Sequence, residues 1–267
     1  MNSGAVRDGS QIDFAAVLGI ARSLGMYYAR PWRGYALAKF YRRFLSPGDL
    51  AFDIGAHVGN RTRAMLRSGA RVIAVEPQPI LARFLRSTLP RKRVDMVEAA
   101  IGSEDGWTEI MVSRRHPTVS SGSRRFLDAV EGSSGFEQVR WDSTVKVRVL
   151  TLDSLIERFG MPKLVKIDVE GMEPDILAGL SRPVPVIAAE FVPAALPLAA
   201  ECVDRISEVS AEYRFNVVMG EDTEFVADRW TDVSDAKDFV ARQAQSGQSG
   251  DIYACLREAV PTDGLRA

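Results

Sequence analysis

Residues 49–62 read DLAFDIGAHVGNRT, and this stretch decides the fold. Leu50 to Ile54 is a short apolar run of strand type. It leads through a glycine turn into an amphipathic pattern from about Val58 to Ser68, which predicts a helix. Strand, tight glycine turn and helix in that order begin a βαβ unit, whose ligand lies outside the carboxyl end of the strand. The glycines, Gly55 and Gly59, are spaced G-x-x-x-G and lack the G-x-G-x-x-G that seats a pyrophosphate.

Working outward, RVIAVE (71–76), VDMVEAA (94–100), KLVKIDV (163–169) and VPVIAAEFV (184–192) are further buried strands. Helices are predicted over Pro79 to Leu89 and Glu173 to Leu180, and FNVVMG (215–220) and DIYACL (251–256) supply two last strands. Strands alternating with helices predict an α/β doubly wound fold with a mostly parallel sheet covered on both faces. Helical periodicity over Gln11 to Leu24 and Tyr35 to Leu45 predicts an N-terminal helical cap, residues 1–48, ahead of a main domain over 49–267. Ser46-Pro47-Gly48-Asp49 marks the break. Residues 113–145, rich in Ser, Gly and Arg, lie between the β-like WTEIMV and VKVRVL. They read as an inserted loop or lid with short helical turns around Arg124 to Val130.

Composition excludes several classes. The 267 residues are 46% hydrophobic and 26% charged, which rules out wholesale disorder. A net charge of −1 gives no global reason to bind a polyanion. Cys202 and Cys255 are too few for a disulfide scaffold and lack zinc-like spacing. The polar start and the absence of a long uncharged apolar run lead to the expectation of a cytoplasmic protein without a membrane span. The stretch Arg61 to Arg93 is strongly basic, either as solvated helix faces or as a face that meets an anionic acceptor.

Two carboxylates narrow the ligand. Asp53, at the end of the first strand, would repel a pyrophosphate but suits a cationic group. Glu76 closes the second strand, where a carboxylate accepts hydrogen bonds from both ribose hydroxyls. Together they favour a nucleoside carrying an amino-acid tail, S-adenosyl-L-methionine.

With VIAVEPQP, AAIGSEDG, TLDSLIERFG and LVKIDVEGME following DLAFDIGAHVGNRT in order, the chain resembles the FkbM family of S-adenosylmethionine-dependent methyltransferases from about Arg30 to Glu190. The resemblance implies a Rossmann-like class I methyltransferase fold, a seven-stranded sheet with one antiparallel strand. The implied activity is O-methylation of a hydroxyl on a sugar, polyketide or related small molecule. It also implies that Asp53, Gly55, Ala56 and Gly59 line the methionine tail, with Asn60 and Thr62 nearby. Glu76 would hold the ribose, Pro77 the adenine edge, and Ala100 and Ile101 the adenine faces. Ser120 and Ser121 match a paired-serine position that would meet the cofactor carboxylate or the acceptor. His57 stands where other methyltransferases carry a glycine, placed to contact cofactor or acceptor.

Removing a hydroxyl proton requires a base or a metal. Asp168, Glu170 and Glu190 fall on one rim, as a general base or, for Asp168 and Glu190, as ligands of a divalent ion such as Mg²⁺. Glu170 also reads as an acid at a helix N-terminus. His116, in the long loop, is a base only if that loop closes. Tyr27, Tyr28, Trp32, Trp141 and the arginines at 114, 115, 124 and 125 are the candidate acceptor wall. Amine and nucleic-acid acceptors are disfavoured: there is no Pro-Pro pair, and no proline precedes either cysteine. The glycine spacing and Asp53 argue against a nicotinamide oxidoreductase. A non-catalytic binding protein is the third rival.

Overall fold

A computed structural model describes residues 24–25, 31–112, 120–131 and 143–261. The apolar runs become strands because their side chains alternate between two faces. In β1 (Leu50–Ile54), Phe52 and Ile54 enter one core and Ala51 the other. β2 (Arg71–Val75) repeats this with Ile73 and Val75 against Val72 and Ala74. In β8 (Leu164–Ile167), Val165 and Ile167 oppose Leu164. Strands buried on both faces carry no solvent side, hence their near-continuous apolar sequence.

Helices α1 (Pro31–Tyr41), α2 (Asn60–Ser68) and α3 (Pro79–Thr88) cover one face. Helices α5 (Leu152–Phe159), α6 (Glu173–Ala178), α7 (Leu196–Val209) and α8 (Val233–Ala244) cover the other. The main sheet has seven strands in the order β10-β11-β9-β8-β1-β2-β3. Here β3 is Val94–Val97, β9 Val186–Phe191, β10 Tyr213–Met219 and β11 Gly250–Leu256. Only β11 is reversed, pairing antiparallel with both β9 and β10. The direction of winding switches between β1 and β8, which opens a crevice at their carboxyl ends.

Two expectations are corrected. The run 94–100 does not form one strand: β3 stops at Val97, and β4 (Ala100–Ile101) joins a second sheet. That sheet, ordered β4-β7-β5-β6, is built mainly from the two β-like segments that flank the region read as a loop. β5 (Gly106–Val112) and β7 (Ser143–Leu150) pair antiparallel, and β6 (Ser120–Ser121) adds to β5. Ile110, Val112, Val147 and Leu150 are buried, so an apolar face holds this sheet to the body. Finally, the helix expected over Tyr35 to Leu45 runs from Pro31 to Tyr41; proline is compatible with a first helical turn, where no N–H is required.

Helix α1 belongs to the same core as the sheet. Phe44 stacks on Tyr253 of β11 at 5.6 Å, and Phe40 meets that ring edge-on at 5.4 Å. The predicted turns at 124–130 are present as α4 (Arg124–Val130), capped by Ser123 Oγ accepting from the Phe126 N–H at 3.2 Å. The helix expected over Gln11 to Leu24 lies almost wholly outside the described residues, as do Tyr27, Tyr28, Arg114, Arg115, His116 and Trp141. Among the described residues no helix is long and apolar enough to cross a membrane.

Gly55 joins the sheet to the crevice. Its φ is +82°, and a Cβ there would lie 1.9 Å from the Asp168 carbonyl oxygen. Left-handed backbone alone costs an L-residue about 1–2 kcal/mol, and the clash adds to it. Gly55→Ala is expected to lower the urea midpoint by the equivalent of more than about 2 kcal/mol; a midpoint equal to wild type would contradict the close approach of the two turns.

Candidate active site

A cavity of about 670 Å³ occupies the crevice at the switch point, within the range of small-molecule sites. Its floor comes from the turns after β1 and β2 and from the end of β8. Its opposite wall is the second sheet and α4, through Thr108, Ile110, Val149, Arg124 and Arg125. Gly171 fixes that wall: at φ +93° its Cα lies under Phe126, and a Cβ would be 2.3 Å from the Phe126 Cβ. Only a glycine lets α4 dock this closely on the turn after β8.

At one end, Glu76 is a largely buried member of the cavity lining. Its Oε2 accepts from the His57 N–H and its Oε1 from the Gln78 N–H, both at 2.9 Å. Burial pushes the carboxyl up to about 7 against these two donors. Pro77, Gln78, Ala100, Ile101 and Val75 surround it. His57 sits at φ +51°, and burial pushes its imidazole down to about 4, with Asp168 opposing, so the ring is neutral at pH 7.

At the other end, Asp168 lies at the cavity wall just past β8. Beneath it lies Lys166, with no solvent exposure. Its Nζ donates to the Ile167 carbonyl at 3.0 Å and approaches Asp251 at 3.0 Å and Asp168 at 3.4 Å. Asp251 also faces Arg61 at 3.8 Å, and Arg61 faces Glu221 at 3.7 Å. Glu190 shares a hydrogen bond with Asp168. Burial works to raise Asp168, but Lys166, the Glu190 hydrogen bond and Arg61 hold it below the usual carboxylate range. Burial, then Asp168 and Glu170, push Glu190 well above that range. Of the two carboxyls, Glu190 therefore holds its proton the more tightly. Glu170, at φ +57°, is pushed up to about 8 by burial, then by Asp168 and Glu173.

The sequence-predicted residues separate into layers. Gly55, His57, Asn60, Glu76, Pro77, Ala100, Ile101, Asp168 and Glu170 line the cavity. Asp53, Ala56, Gly59 and Thr62 are not among the lining residues. The Asp53 carboxylate accepts from the Thr62 hydroxyl, tying β1 to α2 from inside. Glu190 reaches Asp168 from behind, where it lines a separate minor hollow. Ser120 and Ser121 pair through backbone with Val112 and Met111. His116 is outside the described residues. Among the described residues, no three His, Cys, Asp or Glu side chains are grouped to hold a metal ion. Asp168 and Glu190, named above as possible ligands of a divalent ion, face each other above the buried Lys166 ammonium. Lys166, Asp251, Arg61 and Glu221 were not anticipated. A lysine inside the apolar run LVKI was the available signal; the other three become neighbours only through the sheet order.

This strand order, with one reversed strand and a crevice at the β1/β8 switch, defines the class I methyltransferase fold. The family model of the methyltransferase FkbM domain matches residues 53–192, and the chain belongs to that family. A curated relative, hexuronic acid methyltransferase AglP of Haloferax volcanii, is 24% identical over 136 residues, covering 50% of this chain and 51% of the relative. The chain thus spans about half the length of the curated relative it matches. Among solved structures, methyltransferase FkbM from Methylobacillus flagellatus KT aligns with a TM-score of 0.48 and 16% identity, over 79% of this chain and 44% of that one. An O-methyltransferase from Bacillus cereus in complex with SAH aligns with a TM-score of 0.43 and 15% identity, over 94% and 92%.

The raised carboxyls set a pH dependence. Glu76 is raised from 4.5 to about 7, so the folded protein binds its proton more tightly than the unfolded chain. The stability this contributes is fully present below about pH 4.5 and is lost as pH rises through about 7. His57, lowered from 6.5 to about 4, works in the opposite direction. Comparing variants isolates the carboxyl: between pH 4.5 and 7, Glu76→Gln is expected to show a less negative slope of unfolding free energy with pH than wild type. Identical slopes in urea titrations would show that Glu76 is not raised.

Proposed function

We propose that the protein transfers a methyl group from S-adenosyl-L-methionine to a hydroxyl of a sugar or related small molecule, with Asp168 as general base. The observation that carries this reading is the Asp168 carboxyl at the cavity wall, 3.4 Å from the buried Lys166 ammonium. The residues present fit the cofactor. Glu76 retains lone pairs for ribose hydroxyls, since each oxygen accepts only one backbone bond. Val75, Ala100 and Ile101 offer an apolar slot for an adenine, and Gly55, His57 and Asn60 form the floor for an amino-acid tail. Asp168 and Glu221 line the part of the cavity away from Glu76 and would favour a sulfonium there.

S-adenosyl-L-methionine, when bound, supplies an activated methyl carbon. The chain's own part is to bind, orient and handle one proton. Asp168 accepts the proton of the acceptor hydroxyl, and Glu190 holds the Asp168 carboxylate by its hydrogen bond. Lys166 keeps Asp168 ionised at neutral pH. The second sheet and α4 shield the reacting centre from water. A hydroxyl-bearing sugar is supported by the name of the hexuronic acid methyltransferase relative and by Arg124 and Arg125 on the cavity wall. On this reading residues 49–267 form the methyltransferase unit, with residues 1–48 as its N-terminal addition.

Asp168→Asn is expected to lower kcat by about 100-fold or more, while S-adenosylhomocysteine binding measured by calorimetry stays within a few-fold of wild type. The assay follows radiolabelled methyl transfer to a panel of hexuronic acids, neutral hexoses and their glycosides; wild-type turnover in the variant would remove Asp168 as the base. Lys166→Met is expected to move the acid limb of the kcat/KM profile to higher pH, because the cation that lowers Asp168 is gone. An unmoved limb would show that Lys166 acts on folding alone.

A further inference from the structure

A second hollow, of about 490 Å³, lies on the same rim of the sheet. One side is α1, through Arg33 and Ala36. The others are the chain leaving β10, with Glu221, Asp222 and Thr223, and the chain entering β11, with Gln248 and Ser249. The Gly220 N–H donates to the Ser249 carbonyl at 2.7 Å, which ties the two segments together, and the Asp222 N–H donates to the Met219 carbonyl at 3.0 Å to close the turn after β10. This hollow is a built feature of the β10–β11 end.

Its position relative to the chemistry is specific. Glu221 lines both this hollow and the main cavity. From Glu221 an unbroken chain of charged groups runs through Arg61, Asp251 and Lys166 to Asp168. The hollow therefore adjoins the end of the cavity that holds the base. Glu76 and Ile101, where a nucleoside fits, belong to the turns after β2 and β3, on the far side of β1 in the sheet. A group continuing from the main cavity into this hollow leaves on the side away from the nucleoside.

The lining selects the chemistry. Arg33, Gln248, Thr223 and Ser249 supply donors, and Glu221, Asp222 and the hydroxyls and amide supply acceptors. Two carboxylates against one guanidinium disfavour a phosphate or another dianion, and suit a ligand dense in hydroxyls. Trp32 is 64% exposed one helical turn before Ala36, on the same side of α1. An exposed indole on the helix that walls a polar hollow offers a flat face on which the C–H side of a pyranose can stack.

We propose that this hollow is a second saccharide subsite, holding the sugar unit next to the one that is methylated, so that the acceptor is an oligosaccharide or glycan chain. The proposal rests on the reading of the main cavity as the methyl-transfer site on a sugar. It assigns a role in acceptor selection to Trp32, Arg33 and Thr223, residues outside the main cavity.

The test is saturation-transfer NMR and calorimetry on the full chain saturated with S-adenosylhomocysteine. The probes are glucuronic acid, its methyl glycoside, glucose, cellobiose and a glucuronyl-glucose disaccharide with its longer homologues. At least one oligosaccharide is expected to bind more tightly than its own monosaccharide units. Trp32→Ala, and separately Arg33→Ala with Thr223→Val, are expected to weaken that oligosaccharide about fivefold or more, the equivalent of one lost hydrogen bond or stacking contact. Monosaccharide and S-adenosylhomocysteine binding should stay unchanged. Oligosaccharides that bind no better than monosaccharides, variants that bind them as wild type does, or binding of no saccharide at all would each overturn the subsite. Failure of S-adenosylhomocysteine to bind wild type would instead count against the methyltransferase reading itself.

Discussion

Beneath the carboxyl ends of β8 and β11, the ammonium of Lys166 is enclosed by protein and set between the carboxylates of Asp168 and Asp251. An isolated buried ammonium would be strongly unfavourable. Its retention requires both carboxylates, and the two strands that carry them are separated by β9 in the sheet. The charge thus couples the parallel half of the sheet to its one reversed strand. It also sets the protonation of everything above it. Asp168 stays ionised over the lysine, and Glu190, denied that direct ion pair, holds its proton the more tightly and hydrogen-bonds to Asp168. Removal of either partner of such a buried pair costs more than the pair contributes, because the survivor is left uncompensated.

A second constraint is steric. Two backbone turns approach the site so closely that side chains are excluded: Gly55 against the Asp168 carbonyl and Gly171 against Phe126. The first brings the end of β1 against the end of β8, and so sets the distance across the crevice. The second holds α4, and with it the wall built from the second sheet. That helix is further tied to α7 by the fork of Arg125 on Glu201, with one contact at 3.0 Å. The insertion is therefore a packed wall over its described residues, joined to the body at several points.

The basic stretch from Arg61 to Arg93 finds its explanation in the same terms. Arg71 pairs with Asp95 at 2.7 Å and Arg86 with Glu98 at 2.6 Å, linking β2 and α3 to β3 and the segment after it. Arg93 donates to the Leu66 carbonyl at 2.9 Å, satisfying a carbonyl in the last turn of α2. Arg61 turns inward to Asp251 and Glu221. These four arginines connect elements of the fold.

Much of this was legible from local order. Period-two apolar runs, the glycine turn at 55–59 and the acids closing β1, β2 and β8 determined an α/β sheet, the rim where a ligand binds and the residues Glu76 and Asp168 that face it. Those features depend only on neighbours along the chain, since alternation and turn chemistry are local properties. Three things were decided by tertiary structure. Asp53 and Thr62, adjacent to the cavity in sequence, point inward because alternation in β1 and one helical turn of α2 bring them together. Lys166 gains its state from Asp168 and from Asp251, which lies more than 60 residues further on, a distance in sequence that no spacing rule spans. The β-like segments on either side of the insertion pair with each other and with β4 in a sheet of their own, a pairing between residues about 40 apart at its far end. The sequence by itself determined which residue types stand at which strand ends; only packing across the sheet decided which of them are ionised, and which open onto the cavity.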